Sequence, residues 1–190
     1  MSGVVVIGAS RGGLHAVERV LAGLPAEFPL PVLVVQHRAA TSPALLAELL
    51  GRHCALEVSE AEDKAALEPG RVLVAPAGYH ALVERGHVEL SADVEPGYSR
   101  PSIDAAFETA AEAFGPEAIG IVLTGANDDG SRGLSTLCAR GGRAIVQDPS
   151  TADTAVMPAS AIAAADPLHV LPLEEIAGTL VQLSGAGGSS

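Results

Sequence analysis

The sequence predicts an α/β fold: a doubly wound, mostly parallel sheet with helices on both faces and an antiparallel hairpin near residues 81–90. Three observations predict it. Short apolar runs alternate with amphipathic stretches along almost the whole chain. The runs are rich in Val, Ile and Leu without polar alternation, as strands buried on both faces require. One pair of runs is split by Arg85–Gly86 within a three-residue gap, which leaves room for a hairpin and none for a crossover.

Taken in order, Val4–Ile7 reads as the first strand. Gly12–Leu24 follows as a helix with Leu14, Val17, Leu21 and Leu24 on one face. Val32–Val35 is a second strand, Pro43–Arg52 a second helix and Leu56–Val58 a short third strand. Val72–Ala75, Ala81–Glu84 and Val88–Leu90 come next, the last two forming the hairpin. Pro101 stands where a helix would begin, and Ser102–Phe114 carries it. Ile119–Leu123 is a strand, Ser131–Arg140 a helix and Arg143–Val146 a strand. Met157–Ala164 is a short helix, His169–Leu171 a last strand and Leu173–Leu183 a last helix. Gly185–Ser190 reads as a flexible tail. No internal repeat or interdomain linker interrupts the pattern, so residues 1–184 are expected to form one domain.

Composition narrows the function classes. Of 190 residues, 48% are hydrophobic and 18% charged, enough apolar material to exclude disorder as the main state. No apolar run approaches the roughly 18 residues of a membrane span, and no signal-peptide pattern opens the chain, so a cytoplasmic protein without membrane insertion is expected. Against 11 basic residues stand 23 acidic ones, a formal charge of −12 that repels phosphate backbones and argues against nucleic acid. The two cysteines, Cys54 and Cys138, lack metal or disulfide spacing.

In open α/β sheets ligands bind beyond the carboxyl ends of the strands. The first strand delivers Gly8-Ala9-Ser10-Arg11-Gly12-Gly13 there, and the second Gln36-His37-Arg38. The strand at Ile119 delivers Thr124-Gly125-Ala126-Asn127-Asp128-Asp129-Gly130, and that at Arg143 delivers Gln147-Asp148-Pro149. A serine, a histidine and an aspartate thus meet at one edge, the roster of a hydrolase triad. Each has a blander reading. The Gly8–Gly13 turn also suits a pyrophosphate at a helix N-terminus and resembles the opening of short-chain dehydrogenases. That family needs a Tyr with a Lys four positions on, which neither Tyr79 nor Tyr98 has. No acidic residue closes the second strand to hold a ribose either. His37 alone would be a core or capping residue, and Asp129 a cap for the helix near Ser131. Their convergence favours the triad.

Many short motifs in one order make the resemblance specific. They are Gly8-Ala9-Ser10 with Gly12-Gly13, Gln36-His37, Glu60-Ala61-Glu62-Asp63, Pro69-Gly70, Ala75-Pro76 and His80. Arg100-Pro101-Ser102-Ile103-Asp104 with Phe107, Leu123-Thr124-Gly125, Asp129-Gly130 with Gly133-Leu134, Gln147-Asp148 and Met157-Pro158 complete the set. On these the chain resembles the catalytic domain of CheB, the chemotaxis receptor protein-glutamate methylesterase. The resemblance implies a serine carboxylic-ester hydrolase that demethylates glutamyl methyl esters of a methylated chemoreceptor-like protein, with glutamine deamidation as a side activity. It makes Ser10 the nucleophile, His37 the general base and Asp129 the residue orienting His37; Asp128 is the competing choice, but the family's aspartate directly precedes the glycine. Backbone N–H groups of Arg11 and Ala126 are the expected oxyanion hole. No metal or organic cofactor is implied. Glu60–Asp63 and Arg100–Asp104 are expected to be structural ion pairs or loop anchors, and Asp148 to support the site from behind.

The chain departs from the family pattern at three positions beside the site: Arg11 for a small hydroxyl residue, Arg38 for Met, and Ala126 for Met. It also begins at the catalytic strand, so no receiver domain of the family's usual kind is expected, and a separate regulatory partner is one expected source of control. Arg38 and His80 are expected on the substrate-binding surface, the two arginines favouring esters flanked by free carboxylates. Two rivals remain: a catalytically drifted signalling scaffold on the same fold, and a nucleotide-binding oxidoreductase.

Overall fold

The computed structural model describes residues 3–42, 44–93 and 99–185. Its centre is a parallel sheet of seven strands: β1 (Val4–Ala9), β2 (Val32–Gln36), β3 (Glu57–Glu60), β5 (Arg71–Val74), β8 (Ala118–Val122), β9 (Arg143–Gln147) and β10 (His169–Leu171). Their spatial order is β10-β9-β8-β1-β2-β5-β3. A second, antiparallel sheet joins β4 (Ala65–Ala66), β6 (His80–Glu84) and β7 (His87–Ser91) in the order β4-β7-β6. The expected hairpin is therefore present, but it forms a sheet of its own. The two-residue strand β4, which has no period to detect, escapes the sequence pattern.

Alternation along the strands builds two cores. Val5, Ile7, Val32 and Val34 face α1 (Gly13–Ala22), α2 (Leu46–Gly51) and α6 (Leu173–Leu183). Val4, Val6, Leu33 and Val35 face the other way, toward α3 (Ile103–Phe114), α4 (Ser131–Ala139) and α5 (Val156–Ala165). Successive strand residues point to opposite faces, so a continuous apolar run supplies both layers. The small sheet leans on α3: Ala81, Val83 and Val88 join its core, and Val83 N–H donates to Thr109 Oγ1.

Helix boundaries differ from the apolar pattern for identifiable reasons. α1 starts at Gly13 because Gly12 takes the left-handed φ of 77° that ends the preceding turn. Leu14, in phase with Leu21, is nonetheless 41% exposed. Leu24 is buried, but beyond the end of the helix. α2 is shorter than expected, and Pro43, the expected start, lies outside the described residues. So do Ala186–Ser190 of the expected tail. Ser102 is the N-cap of α3, accepting from Ala105 N–H, so the helix opens at Ile103 and not at Pro101.

Strands β1 and β8 are neighbours, yet the chain leaves β1 towards β2 and leaves β8 towards β9. This reversal of winding opens a crevice between their carboxyl ends, the switch point where doubly wound sheets bind ligands.

Two helix N-termini meet behind the crevice and satisfy one another. Asp129, just before α4, accepts from the N–H groups of Ile103 and Asp104 in the first turn of α3, at 2.8 and 3.0 Å. Asp104 in α3 accepts from Gly130 and Gly133 at the start of α4, at 2.9 and 2.7 Å. Each carboxylate takes up orphan donors at the opposite helix's positive end.

That crossing requires Gly133. An added Cβ would stand 2.5 Å from the Asp104 carbonyl oxygen and 2.9 Å from Phe107 Cβ. Helix propensity alone favours Gly133→Ala by about 1 kcal/mol. Overpacking against backbone costs about 1–3 kcal/mol and dominates, because a carbonyl cannot rotate aside. Gly133→Ala should therefore lower the urea midpoint; an unchanged or raised midpoint would mean that the two helices part freely.

Candidate active site

Sheet register brings Ser10 and His37 together. Ala9 pairs with Gln36 across β1 and β2, and His37 N–H donates to Ala9 O at 2.9 Å, so the next residue of each strand lies at the same edge. On the other side, Ser10 N–H donates to Thr124 O at 3.0 Å, which fixes the start of the loop from β8. The Ser10 carbonyl accepts from Gly13 N–H at 2.9 Å and from Gln36 Nε2 at 2.7 Å. The strand-to-helix turn is thus tied at both ends, with Ser10 partly exposed at its tip.

The loop from β8 returns Asp129 to the histidine. His37 Nε2 and Asp129 Oδ2 lie 2.7 Å apart, with only 9% and 10% of their side chains exposed. Asp129 Oδ1 also takes the Ser102 hydroxyl at 3.3 Å. Burial pushes the Asp129 carboxyl upward, but the bonds from His37, Ile103 and Asp104 outweigh it and hold the group below the ordinary aspartate value. Asp129 stays ionised and accepts the Nε2 proton. The carboxylate thus orients the His37 ring and also caps a helix, though α3 and not the following one. Asp128, its exposed neighbour, makes neither contact.

With Nε2 committed to Asp129, the ring's other nitrogen, Nδ1, carries the free lone pair. Asn127 Nδ2 lies 3.2 Å from it. The sequence reading passes over Asn127, although an amide two residues before the aspartate of a glycine-bounded loop was the available signal. Thr124 is a second residue whose role emerges only here. Its hydroxyl lies 2.9 Å from Arg11 O and accepts from Thr154 N–H at 2.9 Å, clamping the nucleophile turn to the loop that bears Ala126. Gln147 Oε1 in turn accepts from Thr124 N–H.

The remaining candidates are placed differently. Arg11 and Ala126 are exposed at the crevice mouth, on the segments that Thr124 ties together. Arg38, expected on the substrate surface, has a side chain only 9% exposed; its Nη2 pairs with Glu60 at 2.6 Å and donates to Ala75 O at 3.0 Å. That gives the Glu60–Asp63 motif its structural role, together with Asp63, which accepts from Leu90 N–H. His80 is buried, 7% exposed, and its Nδ1 accepts from Ser102 N–H at 3.2 Å, steadying the start of α3. Asp148 is half-buried and caps the turn at Pro149–Thr151, accepting from Ser150 N–H at 2.8 Å.

A groove runs beside Ser10, lined by Gly12, Leu14, His15, Glu18 and Asp153. The phosphate reading of the Gly8–Gly13 turn meets Asp153 there. Its Oδ2 stands 2.5 Å from the place a Gly12 Cβ would take, so a carboxylate fills the space a pyrophosphate would need. Among the described residues, no three His, Cys, Asp or Glu side chains gather as a metal site requires. Among the same residues, no helix is long and apolar enough to cross a membrane.

The two buried aspartates should respond to acid with opposite signs. Asp129 is held below its unfolded value, so its contribution to stability is present above about pH 4 and lost as pH falls through the lowered folded value. Asp104 is held above its usual value, by burial first and then by the charges of Asp129 and Asp128, despite the bonds from Gly133 and Gly130. Its ionisation therefore opposes folding at neutral pH, and that cost disappears as pH falls through the raised value. The stability gap between wild type and Asp129→Asn should shrink from pH 7 to pH 3, while that for Asp104→Asn should shift the other way. Urea midpoints at both pH values measure this, and pH-independent gaps would contradict it.

Comparison with known proteins agrees with this geometry. The family model described as CheB methylesterase matches residues 5–180. A Leptospira interrogans protein, provisionally named a protein-glutamate methylesterase/protein-glutamine glutaminase, is 43% identical over 180 residues, covering 94% of this chain and 93% of its own. The protein-glutamate methylesterase FrzG of Myxococcus xanthus is 41% identical over 94% of this chain, which spans about half (54%) of that relative. The crystal structure of the Thermotoga maritima CheB methylesterase catalytic domain superposes with a TM-score of 0.90 at 34% identity, covering 96% of this chain and 100% of that one. By sequence and by fold, the chain belongs to the CheB methylesterase family.

Proposed function

We propose that this protein is a serine carboxylic-ester hydrolase that removes methyl groups from glutamyl methyl esters of a methylated chemoreceptor-like protein in the cytoplasm, and deamidates glutamine at the same site. The observation that carries the proposal is the 2.7 Å pair between His37 Nε2 and an ionised Asp129 that accepts two N–H groups of α3, set beside Ser10 at the switch point.

The chemistry follows from the tautomer. Nε2–H donates to Asp129, so Nδ1 takes the proton from Ser10 Oγ as it attacks the ester carbonyl. The carbonyl oxygen becomes an oxyanion held by the N–H groups of Arg11 and Ala126, which the Thr124 clamp keeps in one relative position. Collapse breaks the C–O bond, and the Nδ1 proton leaves with methoxide as methanol. A water then loses a proton to Nδ1 and attacks the acyl carbon; the bond to Ser10 Oγ breaks, and the Nδ1 proton returns to that oxygen as the glutamate is freed. A glutamine side chain runs the same course with ammonia as the leaving group.

Ser10→Ala and His37→Ala should each bring methanol release from methylated receptor cytoplasmic domains to background, and Asp129→Asn should leave a small remnant. Losses of several orders of magnitude are expected, because triad members act as a unit. A fluorophosphonate should label Ser10 in the wild type; an inert Ser10 would favour the drifted scaffold. Silence of Asp129→Asn with damage from Asp128→Asn would overturn the third member.

Substrate charge should depend on Arg11 and not on Arg38. Arg11 is an exposed cation at the crevice, whereas the charge of Arg38 is met by Glu60. Arg11→Thr should lose activity selectively on acidic peptide methyl esters, and the loss should shrink as salt screens the charges. Arg38→Met should lower stability and leave the acidic-to-neutral preference unchanged. An equal effect of Arg11→Thr on both peptides would remove Arg11 from substrate recognition.

A further inference from the structure

The lone pair that Ser10 needs is already engaged. Nε2 of His37 is given to Asp129, and Nδ1 is the only ring nitrogen left to act as base. An imidazole protonated at Nε2 has no proton on Nδ1, so the group 3.2 Å away must be the amide nitrogen of Asn127, donating. Among the described residues, the Ser10 hydroxyl makes no direct hydrogen bond to the ring. We infer that Asn127 is a positioning residue that holds His37 in the Nε2–H tautomer at rest and must surrender Nδ1 to Ser10 for each turnover. The inference rests on the triad reading above and goes beyond it by assigning a resting state to the base.

Two further observations make the surrender easy. Asn127 Oδ1 is buried and takes no partner among the described residues, so the amide is only half satisfied where it stands. Its bond to the ring is also the longer of the two ring contacts, 3.2 Å against 2.7 Å. When the amide turns away, Asp129 still holds the ring, the Asn127 N–H to Nδ1 bond breaks, and a Ser10 O–H to Nδ1 bond takes its place. No proton changes owner until the ester is attacked. The freed amide then presents both a donor and an acceptor at the crevice, where a substrate peptide could pair with Oδ1.

A latch on the base predicts that its removal speeds the nucleophile. The experiment compares wild type, Asn127→Ala and Asn127→Gly, each a full chain with native spectral dispersion, in two measurements. The first is the second-order rate at which a fluorophosphonate labels Ser10. The second is the ¹⁵N resonance of His37 Nδ1. Both variants should label about two- to tenfold faster, the factor that one ordinary net hydrogen bond represents. The Nδ1 resonance should move downfield, as an unprotonated nitrogen does when it loses a donor, while Nε2 stays protonated. Unchanged labelling with an unmoved resonance would overturn the contact itself. Slower labelling with a moved resonance would overturn the hand-over, because Asn127 would then be assisting the base. If Ser10 labels in none of the three proteins, the triad reading falls and takes the hand-over with it; normal labelling of the wild type alone confines the failure to Asn127.

Discussion

The site depends on one carboxylate held between two helices. Asp129 accepts the N–H groups of Ile103 and Asp104 at the positive end of α3 while receiving His37 Nε2. A buried carboxylate with a single partner would drift towards its neutral form and lose its hold on the ring. The helix terminus prevents that, because its donors cost no reorganisation and favour negative charge. Asp104 returns the service to α4, so the two helices cannot separate without exposing unsatisfied groups at both ends. Burial first, and then the like charge of Asp129, is the cost of this arrangement, and Asp104 bears it through its raised proton affinity. The strain falls on the structural member of the pair, and the member at the histidine stays ionised.

The parallel sheet does the rest of the positioning with backbone alone. Pairing of Ala9 with Gln36 and of Gly8 with Val122 decides that Ser10, His37 and Thr124 leave the sheet at one level. A slip of one residue would turn each side chain to the other face, and the two hydrophobic layers on either side forbid it. Core packing and catalytic geometry are therefore the same constraint seen at two places along the strands.

Much of this was readable in the sequence. Unbroken Val-rich runs announce strands buried on both faces, and the sheet rule then says where ligands bind, which is why a serine, a histidine and an aspartate emerge as a set, while the choice of Asp129 over Asp128 comes from the family resemblance. What the pattern cannot show is long-range pairing of polar groups. Arg38 reads as a substrate-facing cation because its partner Glu60 lies 22 residues away on a separate strand. His80 reads as a loop residue because the start of α3, which buries it, comes 22 residues later. Asp129 suggests a cap for the helix beside it, while the helix it caps begins 26 residues earlier. Leu14 fails for another reason: period predicts which way a side chain points, and not whether anything covers it there.

The charge near the nucleophile has a consequence for substrate choice. With Arg38 neutralised by Glu60, the groove beside Ser10 carries Glu18 and Asp153, and the mouth carries Asp128 against the cation of Arg11. A chain of formal charge −12 repels an acidic peptide at long range. The product of demethylation is itself a carboxylate, newly charged at the point closest to this acidic lining. A methyl ester enters neutral and leaves as an anion, so the same field that slows the approach of acidic segments hastens departure of the product. In the proposed reaction Arg11 would orient a neighbouring carboxylate of the substrate without holding the new one, because an exposed arginine in water binds only weakly. The acidic surface, with Arg11 set at its crevice, thus fits a hydrolase whose reaction creates negative charge.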